Sequence, residues 1–358
     1  MRPRGVLRWA FLDLAKAPGY RGRMNRRSVT LWLLVVLGLL AFPCRSPAPL
    51  VYRPGEGWTY EPVGGEGKWR RPRAKEQLEV AQAAFDKKEY GLALQAARRV
   101  TRTWPLSDYA PQAQYLLGRC YEAKGRAEKA FKEYQRLLEK HPKFAGFQDV
   151  LHRQYGIANL YLAGKWFRLW GYIPLPPSMG RTATMYEKIV KSGPYSDVAP
   201  EAQLKLGTAR VRQKDFPAAA KAFEKAADLY HDRPKIAAEA LFQEAEAYNR
   251  QALRAGYDQS TAGQAILVFN DFMTLYPEEP RVSKATNSIA LLKKEQALGC
   301  LQIAEFYENA KFYPKAARWR GARTYYNEVV LLDPSSEYAE LARKRIEALN
   351  KLLREANK

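Results

Sequence analysis

The residues able to carry acid–base, metal or nucleophilic chemistry are few in this chain of 358 residues. A transition-metal site needs imidazoles, thiolates or carboxylates converging at helical spacing, or paired cysteines two residues apart. The three histidines, His141, His152 and His231, have no such partner at i+4, and no CxxC occurs. No metal or other cofactor is therefore expected. His141 and His231 fall near predicted helix ends, where a cation would complement the helix dipole. Cys120 (YLLGRCYEA) and Cys300 (LGCLQIA) sit in apolar helical stretches and read as small buried hydrophobes. With Cys44 they are too scattered for a disulfide framework. The acid pair Glu244 and Glu246 falls on different helix faces and reads as solvated surface. Phosphate-cradling and nucleophile-elbow glycine patterns are absent, and the cluster Gly64-Gly65-Glu66-Gly67 follows no strand. A non-enzymatic chain is expected.

What the sequence does repeat is a scaffold. Small residues recur in pairs 12 apart, with a proline 12 further on: Ala81, Ala93 and Pro105, then Gly118, Ala130 and Pro142. Gly207 and Ala219 repeat the pair, with His231 in the proline position and Pro234 soon after. Three sets are stretched between the small residues: Ala158, Thr182 and Pro194; Ala245, Ala265 and Pro277; Ala304, Ala322 and Pro334. Antiparallel helices pack closely where facing residues are small, so each pair marks one helical hairpin. An aromatic follows the second small residue by four in Tyr134, Tyr186, Phe223, Phe269 and Tyr326, on the same helix face. The proline ends the second helix because it cannot continue the hydrogen-bond ladder. A second phrase, Pro105-Leu-Ser107-Asp108, recurs at Pro194-Tyr-Ser196-Asp197 and at Pro334-Ser-Ser336-Glu337, and predicts a serine cap on each following helix. The expected architecture is all-α, a right-handed superhelical solenoid of about six hairpins over residues 76–358, closed by a final helix from about Ser336.

Two segments lie outside the repeat. Residues 1–45 hold a run of 14 apolar residues, Val29 to Phe42, after Arg26 and Arg27. That run is too short to span a bilayer, which takes roughly 18 residues or more, and suits an export signal. Met24 offers an alternative start. Cys44, directly after the run, is a candidate for lipidation, although Phe42-Pro43 departs from the small residues such signals carry; an uncleaved anchor is the alternative. Residues 46–75 are rich in Pro and Gly and read as a linker, whose Trp58, Tyr60 and Trp69 either dock on a neighbour or belong to a loose tether. In the third repeat, residues 165–180 form an aromatic insertion. Trp166, Phe167, Trp170 and Tyr172 are candidates for partner binding; the alternative is that the loop folds back over its own hairpin. The stretch Gln251–Gly263 reads as a longer inter-helix loop.

The net charge of +22 is uneven: residues 1–75 carry 15 Lys/Arg against 4 Asp/Glu, and the remainder 44 against 33. The thin spread along the helices argues against a nucleic-acid stripe and suits a basic surface facing anionic lipids or polymers.

The six agreeing registers resemble the tetratricopeptide family. Two segments, WPLSDYAPQAQYLLGRCYEAKGRAEKAFKEYQRLLEKHP (104–142) and IAEFYENAKFYPKAARWRGARTYYNEVVLLDPSSEYA (303–339), make the chain similar to the BamD (YfiO) family of outer-membrane assembly lipoproteins. In the second, Ala304, Tyr307, Tyr313, Ala316 and Ala317 carry the likeness. The resemblance implies a protein-binding adaptor, exported to the periplasm and held at the outer membrane. Its partners would be β-barrel assembly components or unfolded barrel chains. The alternatives are an adaptor for cell-wall or division machinery and a binder of anionic envelope polymers.

Overall fold

The computed structural model describes residues 50–55, 57–60, 69–169, 173–254, 259–310 and 314–356. The chain divides into two compact units, residues 1–51 with 60–63 and residues 52–59 with 64–358; every described helix belongs to the second. The apolar run Val29–Phe42 and Cys44 lie outside the described residues, as do Trp170, Tyr172 and Tyr313. Among the described residues no helix is long and apolar enough to cross a membrane.

Six helical hairpins follow one another. They are α1 (Ala74–Asp86) with α2 (Tyr90–Thr103), α3 (Ala110–Ala123) with α4 (Ala127–Lys140), and α5 (Phe147–Leu162) with α6 (Met179–Ser192). Next come α7 (Ala199–Arg212) with α8 (Phe216–Leu229), α9 (Pro234–Arg254) with α10 (Gln259–Leu275), and α11 (Val282–Asn309) with α12 (Lys315–Leu332). A last helix, α13 (Glu337–Ala356), packs on α12. Short strands lie outside the hairpins: β1 (Leu50–Arg53), β2 (Gly57–Tyr60), β3 (Phe167–Leu169) and β4 (Ile173–Leu175). The architecture is the expected all-α tetratricopeptide-type solenoid.

The packing shows why the small residues are small. Ala81, Ala93, Ala130, Ala158, Ala219, Ala245, Ala265, Ala304 and Ala322 are fully buried. At Gly118 a Cβ would fall within the Tyr134 ring, and at Gly207 within the Phe223 ring. The first helix of a hairpin thus opens a seat, and the aromatic four residues past the second small residue fills it. In three hairpins that aromatic is a tyrosine whose hydroxyl donates back to the first helix: Tyr134 to Glu122 Oε2 at 2.8 Å, Tyr186 to Asn159 Oδ1 at 2.6 Å, and Tyr326 to Glu308 Oε2 at 2.9 Å. A buried phenol needs such a partner.

Both kinds of turn are stereotyped. Pro105, Pro142, Pro194, Pro277 and Pro334 each stand two residues beyond the last helical residue, and His231 holds the same place after α8. The residue before proline is pushed out of the α region. Accordingly Trp104 (φ −128°, ψ 61°), His141 (φ −133°, ψ 65°) and Asp333 (φ −142°, ψ 79°) share one extended conformation that ends the helix. Within the first four hairpins the first helix closes on a residue of positive φ: Lys88 at 63°, Gly125 at 67°, Gly164 at 101° and Lys214 at 64°. The next amide then reaches back to the last turn, as Glu89 N to Ala84 O at 2.9 Å and Asp215 N to Arg210 O at 3.0 Å.

Several expectations need correction. The serine of the recurring phrase caps its helix only in the third copy, where Ser336 Oγ accepts from Ala339 N at 3.2 Å. Ser107 and Ser196 instead lie in the turn before their helices, which begin at Ala110 and Ala199 with a proline in the first turn. Ser107 Oγ accepts from Tyr109 N and donates to Gly55 O, and Asp108 N also donates to Gly55 O at 2.8 Å. The stretch Gln251–Gly263 is mostly helix, because α9 and α10 are lengthened toward each other. Glu244 is buried, at 6 % exposure, and Glu246 pairs with Lys284 at 3.2 Å, so neither is free solvated surface.

Candidate protein-binding surfaces

Each first helix after α1 touches the second helix of its own hairpin and that of the preceding one, which leaves one face toward solvent. Those faces line two cavities. One of about 450 Å3 lies between α1 and α3, walled by Phe85, Tyr115, Arg119 and Phe144. The other, about 770 Å3, runs along α5, α7 and α9 past Tyr155, Asn159, Lys205, Arg212 and Gln243. Between them Arg153 of α5 ties the helices together: its Nη1 meets Glu122 Oε2 of α3 at 3.1 Å and its Nε meets Asp149 Oδ2 at 2.9 Å. Tyr115 donates to the same Asp149 oxygen at 2.5 Å. Burial pushes the Asp149 carboxyl up, but hydrogen bonds from Tyr115 and Arg153 with the Arg153 and Arg119 charges outweigh it and hold it below its usual value. The larger cavity has a similar fixed polar wall. Tyr155 donates to Glu201 Oε2 at 2.8 Å, and Arg212 Nη1 donates to Leu162 O at 2.5 Å. Burial and the Glu201 hydrogen bond push the Tyr155 phenol up to about 12. Such a groove offers fixed rings, hydroxyls and charges to a peptide or helix without presenting a reactive group.

The aromatic insertion folds back on its own hairpin. β3 and β4 pair antiparallel with Phe167 opposite Leu175, Arg168 opposite Pro174 and Leu169 opposite Ile173. Phe167 is 1 % exposed; it stacks on Tyr161 at 4.2 Å between centroids, and the Arg181 guanidinium lies 5.4 Å from the Phe167 ring centroid. That makes Phe167 a core residue, in place of the partner contact expected of it. Trp166 is 56 % exposed and faces a cavity on the outer side of the hairpin. The spacing of aromatics in an irregular segment could not separate these two adjacent rings; the pairing register does.

Among the described residues no cluster of His, Cys, Asp or Glu could hold a metal ion. Burial lowers the His141 pKa, with Lys140 adding to it, so the ring is neutral at the end of α4 and does not supply the expected cation. His231 Nδ1 lies 2.8 Å from Asp228 O. Cys120 and Cys300 are buried free thiols, each raised to about 11 chiefly by burial, which keeps them protonated and unreactive. In the linker, Trp69 packs against the core, its carbonyl accepts from Gln77 Nε2 at 3.3 Å, and Arg71 N donates to Gln77 Oε1 at 2.8 Å.

Comparison with known proteins matches residues 78–143 to a tetratricopeptide repeat model. Residues 178–331 match the YfiO family, described as an outer membrane lipoprotein. No curated protein sequence matches the chain. Solved structures that resemble it include the C-terminal part of a tetratricopeptide-repeat protein from Cytophaga hutchinsonii, at 15 % identity over 75 % of this chain and 87 % of that one, with a TM-score of 0.32. Another, from Parabacteroides merdae, has 13 % identity over 77 % and 98 %, with a TM-score of 0.30. PilF of Pseudomonas aeruginosa has 13 % identity over 76 % and 97 %, with a TM-score of 0.28.

Proposed function

We propose that this tetratricopeptide-repeat protein, which resembles the YfiO (BamD) family over its later repeats, is a non-catalytic adaptor of a bacterial envelope that helps assemble β-barrel proteins into the outer membrane. The observation that carries the reading is the match of residues 178–331 to an outer membrane lipoprotein family. It takes in the α7 and α9 walls of a groove of fixed polar and aromatic groups, whose third wall, α5, precedes the matched residues. In this reading the groove holds segments of partner subunits or unfolded barrel chains. The apolar run Val29–Phe42 exports the chain, and Cys44 is the candidate point of lipid attachment.

The test is affinity capture from cross-linked envelopes, with mass spectrometry of both the partners and the mature N-terminus. Recovery of a barrel-assembly subunit, together with falling levels of outer-membrane barrels on depletion, is the expected result. Recovery of wall-synthesis or division proteins with barrel levels intact would move the adaptor to another envelope machine. The net charge of +22 favours one other reading, binding to anionic envelope polymers. That reading predicts sedimentation with isolated cell wall or lipopolysaccharide that vanishes at modest salt, since exposed charges are screened beyond about 8–10 Å.

A further inference from the structure

The outer cavity beside the β3–β4 hairpin encloses about 740 Å3 and differs in kind from the groove. Its walls come from the first turns of α4, the end of α5, the start of the insertion and α6. Six cations line it, Arg126, Lys129, Lys132, Lys165, Arg181 and Lys188, against the single acid Glu128. None of the six forms an ion pair with a described residue, whereas Arg119, which lines the smaller groove cavity, and Arg153 beside it both meet Glu122. Arg126 even occupies the N-cap of α4 with no side-chain cap, adding positive charge to the positive end of the helix dipole. Unpaired like charges around a recess repel one another, so the arrangement is satisfied by an anion from outside. The cavity is not only charged. Trp166 and Met185 flank a floor of Phe131, Tyr161 and Phe167.

We infer that this cavity docks an extended acidic segment of a partner protein, in which carboxylates alternate with aliphatic or aromatic side chains. The inference rests on the reading of the chain as a protein-binding scaffold, but places a contact outside the groove. The spacing of the cations selects the occupant. Arg181 and Lys188 are seven residues apart on α6, which is about 10 Å along the axis at 1.5 Å per residue. The remaining cations stand on two other segments, Arg126, Lys129 and Lys132 at the start of α4 and Lys165 just past α5. A single phosphate or headgroup cannot meet charges so dispersed. An extended peptide can, because its alternate residues stand about 7 Å apart on one side while those between point to the other. Acids then face the lysines, and apolar side chains meet Trp166 and Met185. Four of the six cations are lysines, point charges on flexible stems that adapt to separated carboxylates better than to bidentate pairing.

The test uses the full chain and a short fluorescent peptide alternating Glu with Leu and Phe, read by anisotropy at physiological salt. One comparator peptide carries Ser in place of Leu and Phe, and a second carries Lys in place of Glu. Saturable binding is expected. It should weaken about tenfold or more in the doubly substituted Lys129→Glu/Lys188→Glu chain and severalfold in Trp166→Ala, with helical circular dichroism unchanged in both. The Ser and Lys comparators should each bind at least about tenfold more weakly. Equal binding of the Ser comparator would reduce the cavity to a polyanion attractor and overturn the proposal. So would wild-type affinity in the two variants. So, too, would phosphatidylglycerol vesicles, compared with phosphatidylcholine, bound through these same residues in place of the peptide. A groove variant, Tyr155→Ala, separates the two readings. If it loses captured partners and keeps the peptide, the cavity stands apart from the groove. If the chain captures no barrel-assembly partner and still binds the peptide, only the assembly role fails.

Discussion

The two ends of the solenoid bury their apolar residues in different ways. From α1 into α8, from Ala74 to Ala222, one continuous core runs through the hairpins, with Tyr134, Tyr186, Leu151 and Ile189 at its centre. Beyond it the apolar residues fall into separate clusters, centred on Phe242, Phe269 and Phe272, on Tyr326 and Leu349, and on two patches at the α8–α9 contact. Those two patches hold Ala226, Tyr230 and Ala240 on one side and Ala220, Phe223 and Ala247 on the other. Glu244 stands on α9 between Ala240 and Ala247, on the same helix face, and has no ion-pair partner among the described residues. Burial first, then the nearby Glu224, Asp228 and Asp271, raise its carboxyl to about 8, so it is protonated at neutral pH. A repeat array distributes its stability among nearest-neighbour contacts. Here one contact is split by a carboxyl that the interior accepts only while neutral.

The largest effect that would sharpen this contrast is loss of a seated aromatic. Tyr134→Ala should cost about 3–5 kcal/mol in urea denaturation and lower amide-exchange protection throughout α1–α7, because the core there is shared. Tyr326→Ala makes the same chemical change in a separate cluster, and its loss of protection should stay within α11–α13. Equal spreading in both variants would break the comparison. Next comes Glu244→Gln. The folded value of about 8 lies above the ordinary 4.5, so the wild type keeps this contribution at pH below 4.5 and loses it as the pH rises through 8. Glu244→Gln should therefore change little at pH 4 and stabilise by about 2–4 kcal/mol at pH 9, read from the difference in denaturation midpoints. A gain independent of pH would place the effect in packing. The smallest effect concerns the hairpin tips: Lys88→Gly and Lys214→Gly each relieve a positive φ and should stabilise by about 0.5–1 kcal/mol. Similar gains at the two positions would show that tip geometry is independent of how continuous the core beneath it is.

The features legible in the sequence are those fixed by sterics. Proline two residues past every second helix except α8 and a small residue under each aromatic ring answer steric demands, so hairpin count and register could be read directly. The lysines of positive φ left no such signal, because Lys88 and Lys214 take a conformation normally marked by glycine. Glu244 and Glu246 do lie on different faces, as helical geometry requires. In a solenoid, though, a first helix is covered by second helices on two sides, so a change of face need not lead to solvent. Two of the serine caps were misplaced by two residues because the turn after the proline satisfies Ser107 and Ser196 before the helix begins. The candidate surfaces were least legible. Trp166 and Phe167 are neighbours of like type, and only the β3–β4 register assigns one to the core and the other to the cavity.

The hairpin tips also bear on how such a chain can change over time. Ala158 and Thr182 are 24 residues apart, against 12 in the unstretched hairpins, yet both are fully buried and their helices still pack on each other. The tip therefore works as an insertion port: sequence can enter there, or be exchanged, while the small residues at the helix contact stay buried. Replacing residues 168–177 with another hairpin should graft a new surface onto an unaltered frame, provided Phe167 is retained as the plug against Tyr161.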